Sequence, residues 1–212
     1  MSTVISSDNL KAAQAFHGNV CLGLPLGLRA GQEALQALNV SRAKDKELVT
    51  IVELAPEQFS HCFVDGIQWV TGCTTGKNNL QVQPMGKFAA TVVDVSRHIA
   101  VRVSYRADFL KEFLNWPPVA AKWTHQMDFH PQPGEVNDDI QAVLTRPVAE
   151  LFTLQFFENY PYLSPVMDWS HEVCSDCGEL VIGSYTHSLA GAVLCPACWS
   201  HRVYAQVEEG KD

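Results

Sequence analysis

The sequence predicts an α+β fold, an antiparallel sheet with packed helices, followed by a small C-terminal zinc-ribbon-like domain. Three observations carry this. Segments with helical apolar spacing are interspersed with short β-branched runs along the first 160 residues. Two of those runs, 88–95 and 98–106, flank a turn near Ser96 and Arg97 and read as a hairpin. From His171 onward the chain is cysteine-rich and carries two C-x2-C pairs. The domain boundary is placed at 168, giving domains 1–168 and 169–212.

Each element has its own reason. Residues 8–16 form a short helix with Asp8 near its start. Residues 24–38 form a helix with an apolar stripe at Leu28, Leu35 and Leu38. Gly27 and Gly31, four apart, give that helix a flat strip, suited to close approach by another helix or to the floor of a pocket. Residues 48–54 are a strand, and 60–71 a helix with Ser60 as a possible N-cap. Residues 108–114 make a helical turn, and 115–137, rich in Pro, Trp and His, a long loop or arm. Residues 138–158 return to helical spacing, broken at Arg146-Pro147.

Composition narrows the function. Of 212 residues, 47% are apolar and 18% charged, enough for a substantial core. The net charge of −8 makes nucleic acid a poor partner. No run of about 18 apolar residues exists, so no membrane span is expected. Seven cysteines without an export signal point to reduced thiols in the cytoplasm, used for metal or chemistry.

Cys174, Cys177, Cys195 and Cys198 are spaced C-x2-C, seventeen residues, C-x2-C. Two tight turns can each aim two sulfurs at one Zn2+, and four thiolates leave no position open, which favours a structural role. The segment 171–212 has two basic residues against six acidic ones, so it reads as a packing or dimer-contact module, not a nucleic-acid binder.

The other thiols are Cys21, Cys62 and Cys73. His17 and Cys21, four apart, share a face if that stretch is helical. Cys62 falls near a helix start, where backbone amides favour a thiolate, with Asp65 three residues on along the same face. Cys73 lies ~16 Å further along that helix at 1.5 Å per residue, too far to share an ion with Cys62. Gly72 to Asn79, GCTTGKNN, has one residue too few between its glycines to be a P-loop, and Asn78 stands where Ser or Thr is required. His125 and His130 beside Asp128 are weaker candidates. Trp116, Trp123, Phe129 and Trp169 fit an interface or a core.

Phe16-His17-Gly18-Asn19-Val20-Cys21-Leu22-Gly23, then Gly27-x-Arg29, then Cys62 to Gln68 and Thr71 to Leu80, resemble the FmdE-like family, named after a component of formylmethanofuran dehydrogenase. The resemblance covers roughly residues 12–105 and extends to the C-terminal cysteine quartet. It implies an α+β domain, a small zinc-binding domain, a homodimer and a metal-associated pocket near the first motif. The name comes from a polypeptide found beside a molybdenum or tungsten enzyme that reduces carbon dioxide to a formyl group, so a redox-enzyme partner is implied as well. Asn19 and Leu22 stand where the family usually has His and Pro. The first-domain metal set is then His17, Cys21 and Cys62, holding Zn2+, Ni2+ or Fe2+. Cys62, Asp65, Cys73 and Lys77 are the catalytic or pocket-wall candidates, and Arg29 pairs with an acidic ligand or with Asp65.

Three functions stay open from sequence. The first is a metal-binding accessory protein handling a metal or metal-bearing cofactor in one-carbon or anaerobic metabolism. The second is an enzyme with an open His/Cys metal site, and the third a structural docking component of a redox complex.

Overall fold

The computed structural model describes residues 5–56, 61–123, 134–164 and 167–209. The chain divides into two compact units, Met1–Tyr162 and Leu163–Asp212. The first joins α1 (Ser7–His17), α2 (Gly23–Leu38), β1 (Leu48–Val52), α3 (Cys62–Thr71), a 3-10 turn (Thr75–Lys77), β2 (Leu80–Val82), β3 (Ala89–Asp94) and β4 (Ile99–Tyr105). It continues through α4 (Ala107–Leu114), α5 (Pro117–Trp123), α6 (Asn137–Thr145), α7 (Val148–Leu151) and β5 (Phe152–Phe157).

The five strands lie in the order β2-β1-β3-β4-β5. The antiparallel pairing expected holds from β1 through β3 and β4 to β5, with Val92 opposite both Thr50 and Val101. β2 adds a parallel pair at the β1 edge. Strand side chains alternate between faces. Val52, Val92, Val101 and Val103 therefore point into the main core with Leu26, Ala30, Phe63 and Ile67. Val49, Val93 and Ala100 pack on the opposite face with Tyr160 and Tyr162.

α2 is the central helix, since all its residues except Gln36 and Ala37 are buried. Tyr105 ties it to the sheet by donating from its hydroxyl to the Leu26 carbonyl at 2.9 Å. Full burial pushes that phenol's pKa well up. Gly27 and Gly31 do serve a helix–helix contact. A Cβ on Gly27 would sit 2.0 Å from the Phe63 carbonyl oxygen, and one on Gly66 would sit 2.3 Å from that of Leu24. α2 and α3 therefore cross with backbone against backbone, and only glycine at both positions permits it.

Two expectations are corrected. Part of the arm expected at 115–137 is α5, because Pro117 supplies the fixed φ that suits a first helical turn. The helical reading of 138–158 fails at its end. α7 stops at Leu151, and Phe152–Phe157 pairs along β4 as an edge strand. Trp116, left open between interface and core, packs edge-on against Phe109 and tilted against Phe113, half-buried against the core. His125, Asp128, Phe129 and His130 lie outside the described residues, as does Ser60.

The second unit contains β6 (His171–Val173) paired with β7 (Leu180–Ile182) and β8 (His187–Leu189) paired with β9 (Ala192–Leu194). A 3-10 turn (Gly183–Tyr185) lies between the hairpins, and α8 (Pro196–Glu209) follows. Its small core is Cys174, Leu194 and Cys195, with Val181, Leu189 and Trp199 against them. Trp169 is 81% exposed. Among the described residues no helix is long and apolar enough to cross a membrane.

Candidate metal centre

α1 ends at His17 because Gly18 takes φ 94°, a left-handed turn that costs a glycine nothing sterically. The chain turns there, and α2 starts two residues beyond Cys21. His17 and Cys21 are thus not neighbours on one helix face, as a continuous helix would make them. They meet across a turn, with His17 Nε2 3.4 Å from Cys21 Sγ. That is close to the ~3.5 Å expected for an imidazole nitrogen and a thiolate on one tetrahedral zinc. The Leu24 backbone N–H donates to the same sulfur at 3.4 Å.

Cys62, the first residue of α3, arrives through the glycine crossing. One donor atom each from His17, Cys21 and Cys62 lies within 4.8 Å of the others. Cys21 is buried, while His17 and Cys62 are half-buried. The donor set is soft and mixed, as transition metals prefer.

Asp65, one turn along α3 from Cys62, accepts a hydrogen bond from His17 Nδ1 at 2.7 Å. A carboxylate on Nδ1 fixes the ring so that Nε2 presents its lone pair beside Cys21, the arrangement found behind metal-bound histidines. Gln68 donates to the other Asp65 oxygen at 3.4 Å and accepts from the Thr75 N–H at 3.4 Å. The sequence indicated Asp65 through its spacing. Gln68 it did not, because nothing in the spacing shows a side chain bridging a helix to a following turn.

The remaining candidates lie elsewhere. Arg29 pairs with Glu33 at 3.1 Å and donates to the Arg146 carbonyl at 3.3 Å, so its acidic partner is not Asp65. Both side chains are buried, and a charge in that position needs its opposite beside it. Cys73 is fully buried in the main core, its thiol facing the Leu48 carbonyl at 3.5 Å. Burial pushes that thiol's pKa up, which keeps it protonated and inert. Lys77 donates from Nζ to the Lys44 carbonyl at 3.3 Å. The GCTTGKNN turn is organised by Asn79, which sequence reasoning missed. Its amide donates to the Asp45 and Leu48 carbonyls and accepts from the Thr74 N–H. Leu22 is buried in the core, and Asn19 is half-buried, its Oδ1 without a hydrogen-bond partner among the described residues.

In the second unit Cys174, Cys177, Cys195 and Cys198 bring four sulfurs within 4.8 Å of one another. Cys177 and Cys195 sulfurs are 4.0 Å apart, against the ~3.8 Å edge of a tetrahedron with 2.3 Å Zn–S bonds. Backbone N–H groups of Cys195 and Cys198 face the sulfurs of Cys174 and Cys195. Amides at Cys177, Cys195 and Asp176 lower the Cys174 thiol to about 6. Cys198, hydrogen-bonded to Cys195 and crowded by the other sulfurs, is pushed up to about 12. Four thiols this close cannot all ionise without a cation among them. The donors fit a closed S4 site such as zinc takes, compatible with a zinc-ribbon-like module.

Residues 16–153 match the family described as FmdE, molybdenum formylmethanofuran dehydrogenase operon. The chain belongs to the FmdE family. The matched span opens at Phe16, beside the first candidate donor, and contains His17, Cys21 and Cys62, while the cysteine quartet lies beyond it. A relative from Archaeoglobus fulgidus, named as a probable S-adenosyl-L-methionine-binding protein, is 28% identical over 186 residues. The alignment spans 82% of this chain but 49% of that protein, so the chain spans about half the length of this relative. The crystal structure of a tungsten formylmethanofuran dehydrogenase FmdE-like protein from Syntrophus aciditrophicus superposes with a TM-score of 0.65 at 19% identity. It covers 94% of this chain and 97% of that one, and shares the FmdE-like fold.

Proposed function

We propose that this FmdE-family chain is a metal-binding accessory protein, with an exchangeable transition-metal site in the first unit and a structural zinc in the second. What carries the reading is the convergence of His17, Cys21 and Cys62 donor atoms within 4.8 Å, from the end of α1, the turn before α2 and the start of α3. Asp65 on the far nitrogen of His17 supports it. Spacing alone does not bring three soft donors and a carboxylate–histidine pair to one place.

The residues divide the work. Asp65 orients the ring and holds the Nδ1 proton, Cys21 and Cys62 supply sulfur, and the glycine crossing fixes their separation. Three protein ligands leave a coordination position for water or for a partner's ligand. A metal held there, Zn2+, Ni2+ or Fe2+, would supply Lewis acidity. The cargo would be that metal or a metal-bearing cofactor, delivered to a redox enzyme of one-carbon metabolism, with the chain acting as a homodimer. The same open position is what favours the second reading, a metal-dependent enzyme acting on a small substrate.

Titration of oxygen-free protein with Co2+ tests the reading. We expect two classes of site. The tighter shows the spectrum of four thiolates. The weaker shows two thiolates and a nitrogen, loses its charge-transfer bands in Cys62→Ala, and gives up its ion first to a chelator. One class of site, unaltered by Cys62→Ala, would overturn it. Turnover of a small substrate that requires the weaker ion would favour the enzyme.

A further inference from the structure

Cys21 lies two residues before α2 and Cys62 opens α3, and neither is in a disulfide. Their sulfurs lie within 4.8 Å of each other. The helices behind them pack backbone against backbone at Gly27 and Gly66. A change of rotamer at either cysteine moves a sulfur on the scale still needed to bond. Cys62 is half-buried and reachable by a small solute, whereas Cys21 is 5% exposed. Cys73 is fully buried with its thiol hydrogen turned to a carbonyl, so the pair stands apart from it.

We propose that Cys21 and Cys62 are a reversible oxidation site, closing to a disulfide when a peroxide reaches them. Closure removes two of the three first-unit ligands and releases the cation. The release rests on the metal reading above, while the disulfide does not. In the first step the Cys62 thiolate attacks one peroxide oxygen and the O–O bond breaks. Cys62 becomes a sulfenic acid, and the departing hydroxide takes up a proton as water. Cys21 sulfur then attacks Cys62 sulfur, the S–O bond breaks, and the leaving hydroxide takes the Cys21 proton. The two thiols lose two electrons in all, and hydrogen peroxide is reduced to two waters. A dithiol reverses the bond by exchange through a mixed disulfide. His17 and Asp65 remain, and one imidazole alone is a poor holder of a divalent ion.

Peptide mapping of the full chain tests this without a folding-sensitive variant. Protein is treated with hydrogen peroxide, with and without added Zn2+, then alkylated, digested and weighed by mass spectrometry. We expect a Cys21–Cys62 linked peptide that dithiothreitol reverses. Zinc at ten times its dissociation constant leaves few thiols free and should lower the yield ~10-fold. His17→Ala should still form the link but lose much of that protection. Both cysteines alkylated, or each oxidised singly to a sulfinic acid, would overturn the disulfide. A link whose yield ignores zinc would overturn the coupling to the cation. A link in protein whose first unit retains no zinc would keep the disulfide and remove the metal reading, so the two failures are distinguishable.

Discussion

The two cysteine clusters differ in how they are assembled. In the second unit, four candidate donors come from two local turns within residues 174–198, and the sulfurs themselves form much of the small core. In the first unit, three candidate donors come from the end of α1, the turn before α2 and the start of α3; Cys21 and Cys62 pack with Ala13, Leu24 and Leu28, and the larger core lies outside the donor set. On the reading proposed above, the second unit's quartet needs a cation to fold around, whereas the first unit's trio is held by packing whether or not a cation is bound. A closed set of four thiolates suits permanence, and an open set of three suits exchange.

The largest expected effect would break the contrast on the second-unit side. Cys174→Ala should unfold residues 163–212 as a unit, because structural zinc supplies ~10–16 kcal/mol in small domains of this kind. Limited proteolysis should cut that unit first and leave the first unit with its wild-type melting transition. A single transition shifted for the whole chain would show that the units do not differ in this way.

Next comes the crossing. Gly66→Ala drives a Cβ into the Leu24 carbonyl oxygen and the Leu28 nitrogen, which are backbone atoms that cannot rotate aside. We expect a loss of ~3 kcal/mol in denaturant unfolding, together with loss of the first-unit ion. Gly31→Ala meets the Val70 side chain instead, which can yield, so a loss of ~1 kcal/mol and retention of the ion are expected.

Asp65→Asn sharpens the contrast at the site itself. Loss of the carboxylate behind His17 should weaken first-unit metal affinity ~10–100-fold while the melting temperature barely moves. Competition with a chromophoric chelator measures it.

The sequence made the local parts legible and left the long-range parts dark. The α1 and α2 spans followed from apolar spacing and the β3–β4 hairpin from alternation, because these signals lie within one element. β2, three residues long, is too short to show a period. α5 was hidden by Pro117-Pro118, which resemble a loop as much as a helix start. β5 was hidden because FTLQFF follows directly on α7 and its apolar residues fit either period. α8 was hidden by the cysteines and Pro196 at its start. At the site, the ligand types could be read, as could Asp65. The opposed glycines Gly27 and Gly66 could not be paired, since they are far apart in sequence. Nor could the burial of Cys73, which separates a core thiol from a reactive one.

The smallest expected effect concerns a surface pair away from both clusters. Arg146 hydrogen-bonds Glu112 and holds its carboxyl below the ordinary 4.5. A depressed folded-state value adds stability above the unfolded pKa, and that increment is lost as pH falls through the folded value. Arg146→Gln should therefore cost under ~1 kcal/mol at neutral pH, with the difference from wild type shrinking below pH 4.5. The lost contact of Arg146 over the Phe109 ring adds a part that does not vary with pH. Urea unfolding at several pH values resolves the two.

Metal content per chain tests the two-site account most directly. Elemental analysis of protein purified without oxygen should give two ions per chain, falling to one in Cys21→Ser with the second unit still folded. One ion per chain, unchanged by Cys21→Ser, would contradict it.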